Sequence, residues 1–161
     1  MDEYRHFLHL FRQQAFPIWP VVDADDLLTR LSQPDPDPET LALAASLCAA
    51  TIAQLRLAEH DAPGASNAKQ LAAQFATECL WFRELYDYRE TYSTAAVLVP
   101  FFLHIYYANT NKLRTAGFFL RESITYVHAM ELGQPQTYGH LAGAERSLRL
   151  RIYWLLFISE R

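Results

Sequence analysis

Residues 93–132, STAAVLVPFFLHIYYANTNKLRTAGFFLRESITYVHAMEL, decide the fold. They hold two apolar-rich helical patterns joined by the polar hinge Asn109-Thr110-Asn111-Lys112. In the second half Ala116, Leu120, Ile124 and Val127 recur at steps of four, four and three, with Phe119, Ser123 and Met130 beside them. One face is therefore apolar along the whole run. Gly133 is expected to supply a left-handed C-cap, and Pro135 to block continuation. The pattern predicts a helical hairpin, one helix returning antiparallel to the other. Pro100 falls inside the first helix, where a proline removes a backbone hydrogen bond at a cost of about 3 kcal/mol. A kink is expected near Ala96 and Val97.

Length and composition limit what such a hairpin belongs to. The 161 residues suffice for one domain that buries roughly two-thirds of its unfolded surface. Hydrophobic residues make up 51% and aromatics 14%, which supplies large core side chains. Only five glycines are present, too few for a sheet protein with many tight turns, so the reading is all-α. About seven helices are expected, packed as antiparallel hairpins in a bundle resembling a helical repeat.

The net charge of −4 and a pI near 5.8, with Lys and Arg dispersed, leave no footprint for nucleic acid. Cys48 and Cys79 sit inside apolar helical patterns and read as buried thiols of a reducing compartment. No signal peptide opens the chain, and the longest apolar run, residues 152–158, is far short of the ~20 residues of a membrane span. A soluble intracellular protein that touches neither nucleic acid nor membrane is expected.

In chain order, residues 3–16 place Phe7, Leu10 and Phe11 on one helical stripe and end before Pro17. Pro17-Ile18-Trp19-Pro20-Val21-Val22 reads as an extended connector, because a residue before proline is pushed out of the helical region. Asp23 caps a short helix through Arg30, with Asp25 and Asp26 at its positive end and Leu27, Leu28 and Leu31 as anchors. SQPDPDPE at 32–39 is a linker that also starts the next helix, with Asp37 as cap and Pro38 in the first turn. The stripe there is Leu41, Ala44, Cys48, Ile52 and Leu55. A polar loop at 59–67 contains Pro63-Gly64, after which Ser66 or Asn67 caps a helix with the stripe Leu71, Phe75, Cys79, Phe82 and Tyr86. ERSLRLRIYWLLFISER at 145–161 suits a buried helix or a buried strand by periodicity, and its helical surroundings favour helix.

Chemical motifs are scarce. Glu3, His6 and His9 have a metal-ligating spacing, but histidines near a terminus read as a solvated face. His104 and His128 lie on opposite halves of the hairpin and are expected to face each other, either bonded to neighbours or contacting a ligand. A phosphate loop, a nucleophile elbow and a di-iron motif are all missing from the sequence, so neither enzymatic activity nor a metal site is expected.

FRQQAFPIWPVVD, LHIYYANTNKLRTAGFFLRESITYVHAMELG and RSLRLRIYWLLFISER, in this order, resemble the middle homology region of fungal binuclear zinc-cluster transcription factors. Within that family the chain looks most like the activators of maltose and starch utilisation. The Pro-aromatic-Pro-Val segment is matched by residues 16–22, the Phe-Tyr-Leu-Arg-Glu-Ala helix by 118–123 with Leu132-Gly133, and the terminal Trp-Leu-Leu segment by 149–161. The family's DNA-reading module holds zinc through a cluster of cysteines, which two cysteines 31 positions apart do not form. Zinc therefore belongs to a module outside this chain, and Pro100 is a departure from the family pattern. The resemblance implies that residues 1–161 are a single all-helical regulatory domain, a fragment without its DNA-binding module and its C-terminal continuation. It implies a regulatory domain of a nuclear transcription activator that answers to an inducer. A helical interaction module without a small ligand is the alternative.

The resemblance to sugar-responsive activators, with the local composition, assigns Tyr106, Tyr107, Asn109, Asn111 and Arg121 to a polar groove at the hairpin's open end, with His104 and His128 as further candidates. Aromatic faces with amide and guanidinium donors suit the C–H faces and hydroxyls of a sugar. Glu122, Glu160, Arg161, Trp19 and Trp154 are assigned to helix packing or contacts between domains. Arg121 or Glu122 is expected to face water or to pair with the terminal charges. The partners expected are a sugar inducer, the remainder of the protein or coregulators packed on anchors such as Trp19, Trp81 and Trp154, and a second copy in a homodimer.

Overall fold

A computed structural model describes residues 1–55 and 65–160. Seven α-helices lie in this part: α1 Asp2–Leu10, α2 Ala24–Leu31, α3 Pro38–Gln54, α4 Ala65–Arg83, α5 Thr94–Asn109, α6 Leu113–Ala129 and α7 Gly143–Ser159. The described residues contain no strand. Most of the loop expected at 59–67, with Pro63-Gly64, lies outside the described residues, as does Arg161.

Several helix starts follow from their caps. Asp23 accepts from the Asp25 and Asp26 amides at 3.0 and 3.1 Å, and Asp37 accepts from the Thr40 amide at 2.9 Å and the Thr40 hydroxyl at 2.6 Å. Ser93 accepts from the Ala96 amide at 2.9 Å and so opens α5. Helix α4 begins at Ala65, which puts Ser66 and Asn67 inside its first turn and not at the cap. It stops at Arg83, so Tyr86 sits in the connector beyond the expected stripe. The opening helix continues past α1 as a π-helical segment, Phe11–Ala15, in which the Phe16 amide reaches the Phe11 carbonyl at 2.7 Å.

The core is built on α3 and α5. Residues 42–52 of α3 and 95–103 of α5 are all buried, so α3 is enclosed on every side and not along one stripe. Both helices are rich in small residues near their starts, which lets neighbours come close. Helix α4 covers α3, α6 covers α5, and α1 and α2 close the far side of α3. The two hairpins meet through their inner helices, which run parallel. Ser93 at the start of α5 donates to Glu39 at the start of α3, and Asn109 at the end of α5 donates to Gln54 at the end of α3 at 3.1 Å.

Trp19, assigned to helix packing or to contacts between domains, is buried in this core, edge-on to Phe101 and Phe102 at 6.4 and 5.9 Å. Cys48 and Cys79 are free, buried thiols. Burial pushes Cys79 up to about 12 and Cys48 well above its ordinary value.

Helix α5 runs unbroken through Pro100. The proline leaves the Ala96 carbonyl without its helical donor, and the next carbonyl, Val97, receives the buried Ser123 hydroxyl from α6 at 2.7 Å. Both hairpin helices end in the same cap. Asn111 takes φ 59°, with the Lys112 amide on the Tyr107 carbonyl and the Asn111 amide on Ala108. Glu131 takes φ 53°, with the Leu132 amide on Val127 and the Glu131 amide on His128. The left-handed residue is therefore Glu131, two positions before the expected Gly133. Gly133 matters differently: a Cβ there would meet Tyr153 of α7 at 3.3 Å.

Candidate functional site

Tyr106, Tyr107, Asn109 and Asn111 lie at the hinge between α5 and α6 and not at the hairpin's open end, because the turn itself is residues 109–112, and only some of the assigned residues come together there. Tyr106 and Tyr107 meet edge-on at 4.9 Å. Tyr107 stacks on Phe119 at 5.4 Å and an interplanar angle of 3°, with Lys112 Nζ 5.6 Å from its ring centre. Burial holds both tyrosine hydroxyls above their ordinary pKa. Asn109 donates to Gln54 and, at 2.9 Å, to the Ile105 carbonyl. Asn111 forms the left-handed cap. His104 Nδ1 lies 3.0 Å from the Ala116 carbonyl.

Arg121 is exposed and stands apart from these residues. It lies two positions from Phe119 and from Ser123, both of which face α5, so at about 100° per residue its side chain points away from them. His104 and His128 do not face each other. His104 lies beside Ala116, and His128 is twelve residues further along α6, roughly 18 Å at 1.5 Å per residue.

The opposite end of the hairpin holds a cluster that the sequence reading left out, apart from Glu122. Glu122 does not face water freely, and a pairing with Arg161 lies outside the described residues. It accepts from Arg83 Nη2 at the end of α4. The Arg83 side chain is only 5% exposed and that of Glu122 28%. Burial works against the guanidinium charge, yet the bond to Glu122 outweighs it and holds Arg83 above its ordinary pKa. Arg83 Cζ also sits 4.0 Å from the centre of the Tyr88 ring, and Arg89 Cζ 4.4 Å from it. Tyr126 of α6 donates to the Tyr88 carbonyl at 2.6 Å, which ties the connector to α6.

Beside this network lies an open cavity of about 470 Å³ lined by Tyr88, Arg89, Tyr92, Glu122, Thr125, Tyr126 and Ala129. The signal for it was present in YDYRETY at 86–92, three tyrosines among charges in a short connector.

Helix α7 borders further cavities among the described residues. One of about 610 Å³ runs between the Pro20–Val22 connector, the start of α2 and the first turns of α7, with Arg12 bonded to Asp25 at 2.9 Å on its rim. Another of about 590 Å³ includes His128, Glu131, Gln134, Gln136 and Tyr153. Glu160 and His128 share a small cleft of about 100 Å³ with Ile124 and Leu156. Of the apolar run 152–158, expected to be buried, Ile152 and Leu156 are, while Trp154 is 54% and Ile158 71% exposed. Trp81 of α4 is exposed as well. Glu3, His6 and His9 all face solvent, and among the described residues no three His, Cys, Asp or Glu side chains come together as a metal site. No described helix is long and apolar enough to cross a membrane.

No family model and no solved structure matches the chain. Whole proteins do. A probable sucrose utilization protein of Candida albicans is 27% identical over 161 residues, all of this chain and 32% of that protein. A maltose fermentation regulatory protein of Saccharomyces cerevisiae is 26% identical over 155 residues, 96% of this chain and 32% of that protein. A second such regulator of the same yeast is 27% identical over 154 residues, with the same coverage. The chain thus spans about a third of the length of the relatives it matches. Over all or nearly all of its length it is similar to a region of these yeast maltose fermentation regulatory proteins and of the sucrose utilization protein.

Proposed function

We propose that this chain is the inducer-responsive regulatory region of a fungal transcription activator of disaccharide utilisation. It would act in the nucleus, beside a zinc-bearing DNA-binding module outside these residues, and without enzymatic activity of its own. The observation that carries the reading is the similarity, along the chain, to several proteins named for maltose fermentation regulation and one named for sucrose utilisation. A ligand that bound one packing of the two hairpins better than another would shift the population toward it, which is how inducer binding would be read out. At the hinge end, Asn109, Asn111 and His104 serve the scaffold in this reading, and Tyr107 is packed on Phe119 with Lys112 near its ring.

A reporter experiment tests this. The protein is fused to a heterologous DNA-binding domain and an activation domain and assayed with and without maltose or sucrose. Sugar-dependent reporter output is expected. Output indifferent to every sugar overturns the inducer-responsive part.

The exposed face of α7 favours a second reading, an interaction module. Leu150, Trp154 and Ile158 are exposed at steps of four along one side of that helix. The remainder of a longer regulator, or a coregulator, would cover them. Trp154→Glu is then expected to abolish the association without lowering thermal stability, and an unchanged association in a pull-down removes the reading.

A further inference from the structure

We infer that the cavity between the 86–92 connector and α6 binds a neutral disaccharide, with Tyr92 and Arg89 as the contacts that decide affinity. This rests on the inducer-responsive reading above and assigns its site.

Three features of the cavity point to this ligand class. The first is its wall. Tyr88, Tyr92 and Tyr126 put aromatic surface next to the charged hydrogen-bonding groups of Arg89 and Glu122 and the hydroxyl of Thr125. A purely apolar ligand would bury those polar groups without partners, at a cost of about 1–3 kcal/mol each. A polyol offers both chemistries: C–H faces for the rings, and hydroxyls that accept from the guanidinium and donate to the carboxylate. The cavity's 470 Å³ falls within the range of about 300–1,000 Å³ of small-molecule sites.

The second feature is charge. A ring cage with a carboxylate often suits a cation, but here both Arg83 and Arg89 already lie within 4.4 Å of the Tyr88 ring centre. Glu122 is neutralised by Arg83, which leaves the excess charge positive and repels a cationic ligand. The excess positive charge does not oppose an anionic ligand, and the phosphate probe below tests that case. A neutral polyhydroxyl ligand uses the rings, the Arg89 guanidinium and the Thr125 hydroxyl without requiring a charge of its own.

The third feature is preorganisation. The buried Arg83 fixes the Glu122 carboxylate, and the Tyr126 hydroxyl fixes the Tyr88 backbone. Rigid groups lose less entropy when a ligand binds, so the same contacts yield more affinity. Tyr92 is the exposed counterpart, with 59% of its surface open to solvent. Occupancy would then join the α4–α5 connector to α6 and bias the packing of the two hairpins.

Calorimetric titration of the purified protein decides the matter, with maltose, sucrose, glucose 6-phosphate and tetramethylammonium as probes. Arg89→Ala and Tyr92→Ala remove exposed side chains that the fold does not need, and Trp81→Ala is the exposed aromatic control. Maltose or sucrose is expected to bind. Each cavity variant should weaken that binding about tenfold or more, as loss of a ring face or a charged hydrogen bond does, while the control is unchanged. Full affinity in both cavity variants overturns the site and leaves the inducer-responsive reading standing. Binding of only the phosphate or only the ammonium overturns the ligand class. Failure of every sugar, with reporter output equally indifferent, takes down the sensing reading itself.

Discussion

Arg83 keeps a permanent charge where 5% of its side chain meets solvent, and it depends on one carboxylate. Breaking a buried pair is costly because of the charge left behind, and the two partners of this pair differ in what they leave. Glu122→Ala strands a guanidinium left with only the faces of the Tyr88 and Phe119 rings, at 4.0 and 5.9 Å. Arg83→Ala leaves a carboxylate that is 28% exposed and able to hydrate. Urea denaturation is therefore expected to show a loss of about 3 kcal/mol for Glu122→Ala and clearly less for Arg83→Ala, with the double variant recovering part of the difference. Equal losses for the two single variants would mean that the pair is better hydrated than its burial implies. The pair spans 39 positions of sequence, and nothing local marks Arg83 as the partner. The sequence reading could therefore flag Glu122 as a polar residue in an apolar helix without locating its partner.

Caps and breakers decide the elements, and these were the most legible features of the chain. Asp23, Asp37 with Pro38, and the polar hinge at 109–112 all act where a side chain or turn satisfies the free groups of a helix end. What could not be read was which residue takes the left-handed position after α6. Gly133 is the intrinsic choice, but Leu132 must turn inward to be buried, and that sets the cap at Glu131. A non-glycine residue at φ 53° carries about 1 kcal/mol of steric cost. Glu131→Gly is accordingly expected to raise the thermal midpoint by a few degrees, and a lower midpoint would show that the Glu131 side chain contributes more than its strain costs. The Asp37 cap makes an acid-dependent prediction. Partial burial raises its pKa, but the two bonds from Thr40 outweigh that and hold it below the ordinary 3.8. A carboxylate depressed in the folded state adds stability that is present above 3.8 and lost as pH falls through the folded value. Relative to Asp37→Ala, the native chain should be more stable by about 1 kcal/mol at neutral pH. The gap should close in strong acid, as denaturation curves at both pH values would reveal, and a gap that persists there would place the effect in packing.

The molecule as a whole divides into a dense centre and a loosely held last helix. The all-α class and the central hairpin were legible because periodicity reports burial one face at a time. The parallel meeting of α3 and α5 was not, since two fully buried helices show no polar face from which to read a neighbour. Helix α7 is the converse case: its run of apolar residues reads as core, yet Ile152 and Leu156 are the residues of that helix that are fully buried. The energy that holds a helix in place comes mainly from such burial, so α7 should open well before the centre does. Native-state hydrogen exchange is expected to show α7 amides exchanging orders of magnitude faster than those of α3 and α5. Leu156→Ala, which deletes a buried side chain worth about 2–5 kcal/mol, should abolish protection in α7 while that of α3 and α5 stays. If α7 exchanges as slowly as α5, or if Leu156→Ala lowers protection everywhere together, then α7 belongs to the same cooperative unit as the centre. In that case the cavities on its flanks are fixed features of one folded body. If α7 opens alone, those cavities mark the boundary along which the helix parts from the hairpins, and anything that binds across it biases whether α7 is docked.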